Sequence, residues 1–344
     1  MYSSISFETL LNQSLDREMD GEMAVALQNA KAALAQAQFA GDMEAYAQAL
    51  TRLGSIHYRL GHFENMKELA ARALSQAGEE SRARADALLL LGNYAFETGS
   101  LDDAEAYFQE VADLSRQIDY PLARYRALHN MAAGAYSLRG QFNLALTTYE
   151  EAYRIACQIN SPQKVIPLIA MCYIHLEIGQ LSQARHLIDK IALQAAPDSF
   201  FYGYYLMLKG KLAEYEGDPS SGLSNYLQAE AVTERIGDVT LHIFLSLCKS
   251  HCHRMLGNIA YALEWANDAV EWANRANNRR MTGRALAERG YVEWLAGRLE
   301  DSEKDLRNAV NDLTERQQQF DLTLAQFYLA ALLFARQNPL AEQV

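Results

Sequence analysis

Eight glycines recur along the chain at near-equal spacing: Gly21, Gly61, Gly99, Gly140, Gly179, Gly217, Gly257 and Gly297. By subtraction, the intervals are 40, 38, 41, 39, 38, 40 and 40 residues. A fixed period of this length marks a repeat architecture, in which one small unit is copied and stacked. Small or compact residues keep the same step. Seven positions before each glycine stand Ser14, Gly54, Gly92, Ala133, Cys172, Gly210, Ser250 and Gly290. Five after stand Ala26, Met66, Ala104, Ala145, Ala184, Gly222, Ala262 and Ser302. Twelve after, the column is mostly alanine, from Ala33 and Ala73 to Ala269 and Ala309.

Between the glycines, apolar residues return at intervals of three and four, as in Ala87–Phe96 and Ala145–Ala156, which is helical spacing. A glycine just past such a run ends a helix, because the position favours positive φ. A second turn signal precedes each next copy: Gly41-Asp42, Gly78, Asp119, Asn160, Pro197-Asp198, Gly237-Asp238 and Asn277-Asn278. Pro121, Pro162, Pro197 and Pro219 sit just past turns, where a helix start tolerates them. Pro167 falls further in and is expected to kink its helix. Each unit therefore reads as helix, tight turn, helix, turn, with small residues where the two helices cross. At roughly 150 residues per domain, length alone suggests about two domains. The period overrides that prior and predicts one solenoid over residues 1–344. Its units are expected near 5–41, 42–78, 82–119, 121–160, 162–197, 198–237, 239–277 and 279–317, with a terminal helix at 321–337.

These columns resemble the tetratricopeptide repeat. The family's large apolar residue and glycine in the first helix, with alanine, aromatic and alanine in the second, are matched by Leu91-Gly92, Ala104 and Phe108, by Tyr226 and Ala229, and by Gly290 with Ala309. The period of about 40 exceeds the family's 34. It is similar to the longer-helix branch that includes kinesin light chain, Pins/LGN and MalT-like sensor domains, as are endings such as Glu234–Asp238. The resemblance implies an all-α fold, a right-handed superhelical solenoid of about eight such repeats plus a terminal helix.

The net charge of −12 argues against a general nucleic-acid binder, which needs basic residues for phosphates. No apolar run is long enough to span a membrane, and the N-terminus has no basic and apolar signal-peptide pattern. Four cysteines in 344 residues do not make a disulfide framework, so a cytoplasmic protein is expected. Phosphate-loop, dinucleotide, zincin and nucleophile-elbow motifs are absent from the sequence. Neither enzymatic activity nor a cofactor is expected. The stretch Cys248–Gly257, "CKSHCHRMLG", concentrates two cysteines and two histidines. On one helix at most three of these converge, whereas a structural zinc site wants four ligands, so a packed helix is expected there and no metal.

By the same resemblance, a groove is lined by the first helices at positions six, ten and thirteen before each grid glycine. In adjacent repeats these positions give Asn93 and Asn130, whose amides can engage both N–H and C=O of an extended peptide. The competing reading is two solvated asparagines. The later repeats give Tyr173, Tyr204, Met207, Lys211, Phe244, His251, Arg284 and Tyr291, with Trp294 one turn on. Rings with polar tips suit a wall for peptide side chains or a sugar; packing between repeats is the alternative for several of them. The lysine and arginine clamp of chaperone-adaptor repeats is not reproduced, since Leu89 and Ile166 stand in its place. Leu322–Pro339 is apolar nearly all round, so helix 322–337 is expected to meet a second copy, a partner or the remainder of a longer chain.

The expected function is an interaction scaffold whose groove binds a partner protein or peptide. The alternative is the ligand-sensing domain of a MalT-like transcription activator, with a small-molecule inducer in the aromatic half. Neither reading calls for contact with nucleic acid or membrane by this chain.

Overall fold

The structure is a computed structural model and describes residues 5–19, 22–197, 199–236 and 238–337. Gly21, Asp198, Gly237 and Pro339, used above as turn or end signals, lie outside them. The chain is an all-α helical repeat solenoid, with no strand among the described residues. The helix ends follow from local chemistry. Helix α5 (Arg82–Thr98) is opened by Ser81, whose hydroxyl accepts the Arg84 N–H at 3.1 Å. It is closed by Gly99 at φ +89°, where a side chain would be strained. The seven described grid glycines all have φ between 71° and 89°. Asp119, Asn160, Asn277 and Gln317 make positive-φ turns between units, at φ 47° to 54°.

The chain divides into two compact units, one of residues 1–135 with 154–159, the other of residues 136–153 with 160–344. The first holds α1 (Phe7–Met19), α2 (Met23–Ala40), α3 (Met43–Arg59), α4 (Phe63–Gln76), α5, α6 (Leu101–Gln117) and α7 (Pro121–Met131). Helix α8 (Phe142–Gln158) is divided between the units. The second unit continues with α9 (Val165–Glu177), α10 (Leu181–Ala192), α11 (Phe200–Tyr215), α12 (Pro219–Ile236) and α13 (Val239–Met255). It ends with α14 (Ile259–Arg275), α15 (Arg279–Leu295), α16 (Leu299–Glu315) and α17 (Gln319–Gln337). Within each unit a helix packs on its successor, and each first helix also packs on the next first helix: α3 on α5, α5 on α7, α11 on α13, α13 on α15 and α15 on α17. The odd-numbered helices thus form one layer of each unit, and this layer carries the candidate site.

Close helix crossings depend on missing side chains. A Cβ at Gly92 would lie 2.5 Å from the Phe108 ring, which is fully buried. At Gly210 it would lie 2.6 Å from the Tyr226 ring and 3.0 Å from the Gly222 carbonyl oxygen. Helix α7 runs on into a π turn, Ala132–Ser137. Gly140 follows the helix start at Pro121 by 19 residues, whereas Gly257 follows Val239 and Gly297 follows Arg279 by 18. The wider turn takes up the additional residue.

Two expectations need correction. Pro167 is the third residue of α9, inside the first turn, where its missing N–H has no intrahelical acceptor to lose. It therefore starts a helix rather than kinking one. Helix α17 is also less uniform than its composition suggests. Leu322, Ala325 and Leu332 are buried, while Leu324, Phe327 and Phe334 are exposed, and Asp321 and Tyr328 face the cleft described below. No helix among the described residues is long and apolar enough to cross a membrane.

Candidate binding cleft

Five first helices of the second unit, α9, α11, α13, α15 and α17, line one cleft of about 150 Å³. Helical spacing explains which residues reach it. On α13, Phe244, Leu247, Cys248, His251 and Arg254 follow at steps of three, one, three and three, the spacing of one helix face. Tyr173 and Glu177 come from α9, Lys211, Glu214 and Tyr215 from α11, Arg284, Ala287 and Glu288 from α15, and Asp321, Leu324 and Tyr328 from α17.

The floor of the cleft is charged. Lys211 Nζ lies 3.0 Å from Glu177 Oε1, with both side chains 8% exposed. Burial alone would raise the Glu177 pKa, but the positive charges of Lys211 and Arg284 outweigh it and hold the carboxyl at about 2. The same pair works on Lys211, which Glu177 holds well above the ordinary lysine value despite burial. Arg284 stands 3.7 Å from Glu177 and 3.8 Å from Asp321, too far for hydrogen bonds to either. Its guanidinium lies 5.7 Å from the centres of both the Tyr173 and Phe244 rings, which meet edge to face. The Tyr173 hydroxyl is buried and has no hydrogen-bond partner among the described residues. Burial raises the pKa of Asp321, which Arg284 only partly offsets.

Toward α15, Arg254 lies 4.7 Å over the Tyr291 ring, and Tyr291 stacks on Tyr328 at 4.2 Å and 11°. Arg254 Nε is buried, 3.6 Å from Glu288 and without a hydrogen bond. Glu214, by contrast, is saturated. It accepts the Tyr226 hydroxyl at 2.9 Å, the Cys252 thiol at 3.4 Å and a short contact from His251. These donors hold its pKa below the usual carboxylate value although burial acts the other way.

Of the residues singled out by register, the cleft therefore brings together Tyr173, Lys211, Phe244, His251 and Arg284. Tyr291 joins it through Tyr328, and Trp294 stands edge-on to Tyr291 at 5.8 Å. Two residues fall elsewhere. Met207 is 2% exposed and belongs to the core, so it offers no wall surface. Tyr204 donates its hydroxyl to Asp238 Oδ2 at 2.9 Å, while the other oxygen of Asp238 caps α13 through the Leu241 N–H. Its ring secures a helix start rather than a ligand.

The cysteine and histidine stretch separates on folding. Cys248 lines the cleft, Cys252 packs beside Gly222, His251 pairs with Glu214 and His253 stacks on Tyr261 at 5.4 Å. Among the described residues, no group of three or more His, Cys, Asp or Glu side chains is placed to hold a metal.

In the first unit, Asn130 Nδ2 donates to Asn93 Oδ1 at 2.8 Å, so the two amides engage each other. Asn93 is 8% exposed. Other residues of the cleft lie off these three positions. Glu177, Glu214 and Arg254 lie two or three residues before a grid glycine, and Cys248 and Glu288 lie nine before one. These positions share the face sampled at six, ten and thirteen, and helical spacing alone points to them. Asp321 and Tyr328 had no such pointer, because no glycine follows α17 to set its register.

Residues 47–79 and 83–158 match tetratricopeptide-repeat family models. No curated protein matches the chain. Among solved structures, the apo form of RapI aligns with a TM-score of 0.64 at 12% identity, covering 79% of this chain and 99% of that one. The Rap conjugation gene regulator of plasmid pLS20, in complex with the Phr* peptide, aligns with a TM-score of 0.63 at 17% identity, covering 79% and 74%. The Cut9–Hcn1 hetero-tetramer of the APC/C aligns with a TM-score of 0.57 at 13% identity, covering 90% and 52%. At these identities the likeness is one of fold. Residues 47–79 and 83–158 are thus similar to tetratricopeptide repeats, within an all-helical repeat fold that the chain shares with these structures.

Proposed function

We propose that the chain is an interaction module that binds a peptide segment of a partner in the cleft of the second unit. The observation that carries this reading is the lining itself. Aromatic faces stand beside buried polar groups whose hydrogen-bonding capacity the protein does not use, notably the Tyr173 hydroxyl and Arg254 Nε. Buried polar groups are normally paired, and an unpaired donor costs about 1–3 kcal/mol. A ligand that supplied acceptors would recover that cost. The rings offer flat apolar area at low entropic cost, and Leu324 at the rim is 43% exposed. A cleft of this size takes one or two side chains of an extended segment rather than a folded element. The peptide carried by one structural neighbour supports the same ligand class.

Selection from a random peptide library on the immobilised protein tests the reading. Winning sequences should converge and bind in solution calorimetry, and Leu324→Trp, which fills the rim without entering the core, should weaken them. Absence of convergence, or equal binding by Leu324→Trp, would overturn it.

A further inference from the structure

The charged groups of the cleft are not equally occupied, and the difference identifies what it receives. Three of its four carboxylates have close partners of their own: two accept hydrogen bonds, and Glu177 is ion-paired with Lys211 although its Oε1 accepts none. Glu177 has Lys211 at 3.0 Å, Glu288 has the Ser250 hydroxyl at 2.9 Å, and Glu214 has Tyr226, Cys252 and His251. Among the described residues, the fourth, Asp321, has only Arg284, at 3.8 Å. The two arginines are the converse case. Among the described residues, neither Arg284 nor Arg254 has a carboxylate within hydrogen-bonding distance, the nearest lying at 3.7 and 3.6 Å. Arg254 lies 4.7 Å over the Tyr291 ring, and its buried Nε makes no hydrogen bond. Arg284 lies 5.7 Å from the centres of both the Tyr173 and Phe244 rings. Both side chains are three-quarters or more buried.

A buried guanidinium beside aromatic rings, with no carboxylate within hydrogen-bonding distance, has N–H donors left for a carboxylate, which can take two parallel hydrogen bonds. We infer that Arg284 and Arg254 form a carboxylate-accepting subsite, which takes an acidic side chain or the C-terminal carboxylate of the bound peptide. The inference rests on the peptide-binding reading above. The buried hydroxyl of Tyr173, beside Arg284, adds a neutral donor to the subsite. Asp321 is the group a ligand carboxylate must contend with, because it is the acid that depends on Arg284 alone. The other charges facing it are Glu177 from α9 and Lys211 from α11, already paired with each other. Neutralising Asp321 should therefore strengthen binding rather than weaken it, an outcome that general damage to the cleft would not produce.

Three synthetic peptide arrays test the assignment on the full chain: neutral sequences with a free C-terminus, C-terminally amidated sequences containing Asp or Glu, and amidated neutral sequences. Binding to the first array alone assigns the terminal carboxylate, and binding to the second alone assigns an acidic side chain; either supports the subsite. The strongest peptide should lose about tenfold or more in affinity on Arg254→Gln, and again on the charge-balanced pair Arg284→Gln/Asp321→Asn. Asp321→Asn alone should tighten it several-fold. Equal binding to the amidated neutral array, or no loss in the arginine variants with their circular dichroism unchanged, overturns the subsite and leaves peptide binding standing. Failure of all three arrays overturns both.

Discussion

The two units use one construction at their helix crossings and put it to different ends. In the first, Phe108 covers the gap at Gly92; in the second, Tyr226 covers the gap at Gly210. Both rings stand nine residues after a grid glycine, Gly99 and Gly217, so they are equivalent positions. The difference is one hydroxyl. Phe108 ends in the core, whereas Tyr226 donates to Glu214, which also engages His251 at the cleft. Packing in the second unit is thereby tied to its polar lining.

The crossing itself should give the largest effect. Gly210→Ala drives a methyl against a ring held by its hydroxyl and against the Gly222 carbonyl, which cannot rotate away. A loss of about 3 kcal/mol is expected, the upper range for overpacking. Gly92→Ala meets the Phe108 ring as its three nearest atoms, a ring with no polar tether, and should cost about 1–2 kcal/mol. Urea denaturation of both variants measures the ordering. Equal losses would mean that the tether and the carbonyl add nothing.

Acid titration should separate the units next, because a buried carboxyl in each is shifted in opposite directions. Asp86 of α5 receives the Tyr120 hydroxyl at 3.3 Å, yet burial raises its pKa from 3.8 to about 6. Its contribution favours folding below pH 3.8 and is lost as pH rises toward 6. Glu177 is depressed from 4.5 to about 2, so its contribution is present above pH 4.5 and is lost as pH falls toward 2. Each is worth about 3 kcal/mol by linkage. Asp86→Asn should remove the gain in stability seen between pH 6 and 4. Glu177→Gln should remove the loss below pH 4.5. Unchanged profiles would show that the two groups are not buried as described.

The tether can also be removed alone. Tyr226→Phe gives the second unit the aromatic residue of the first and takes one donor from Glu214, which keeps Cys252 and His251. A cost of about 1.5 kcal/mol is expected. The His251 imidazole resonances should also move in the NMR spectrum at constant pH, because its carboxylate partner has lost a second donor. Unmoved His251 resonances would sever the core from the cleft.

How far these features could be read from sequence depends on what fixed them. The turns were legible because positive φ strongly favours glycine, and seven of the eight grid glycines show it; the eighth, Gly21, lies outside the described residues. The crossings were legible because two backbones can approach at Gly92 or Gly210 only without a side chain. The cleft was harder. Its first helices were indicated by the repeat, but Met207 and Tyr204 share the register of wall residues and are turned to packing and capping. Asp321 and Tyr328 belong to a helix with no closing glycine. The pairing of Asn93 with Asn130 was also hidden, because sequence places two amides in adjacent repeats and cannot say whether they face a ligand or each other.

That pair supplies the smallest effect and the sharpest contrast with the second unit, where donors are left over. Asn93 is 8% exposed and accepts through Oδ1, whereas Asn130 is half-buried and donates. Asn130→Ala therefore leaves a buried acceptor without its donor. Asn93→Ala leaves a donor that water can reach. The first should cost about 1–2 kcal/mol and the second less, with a coupling near 1 kcal/mol in the double-mutant cycle. Zero coupling would mean that the amides do not hold each other in solution. They would then be available to an extended peptide, and the first unit would regain the binding role that its paired asparagines argue against.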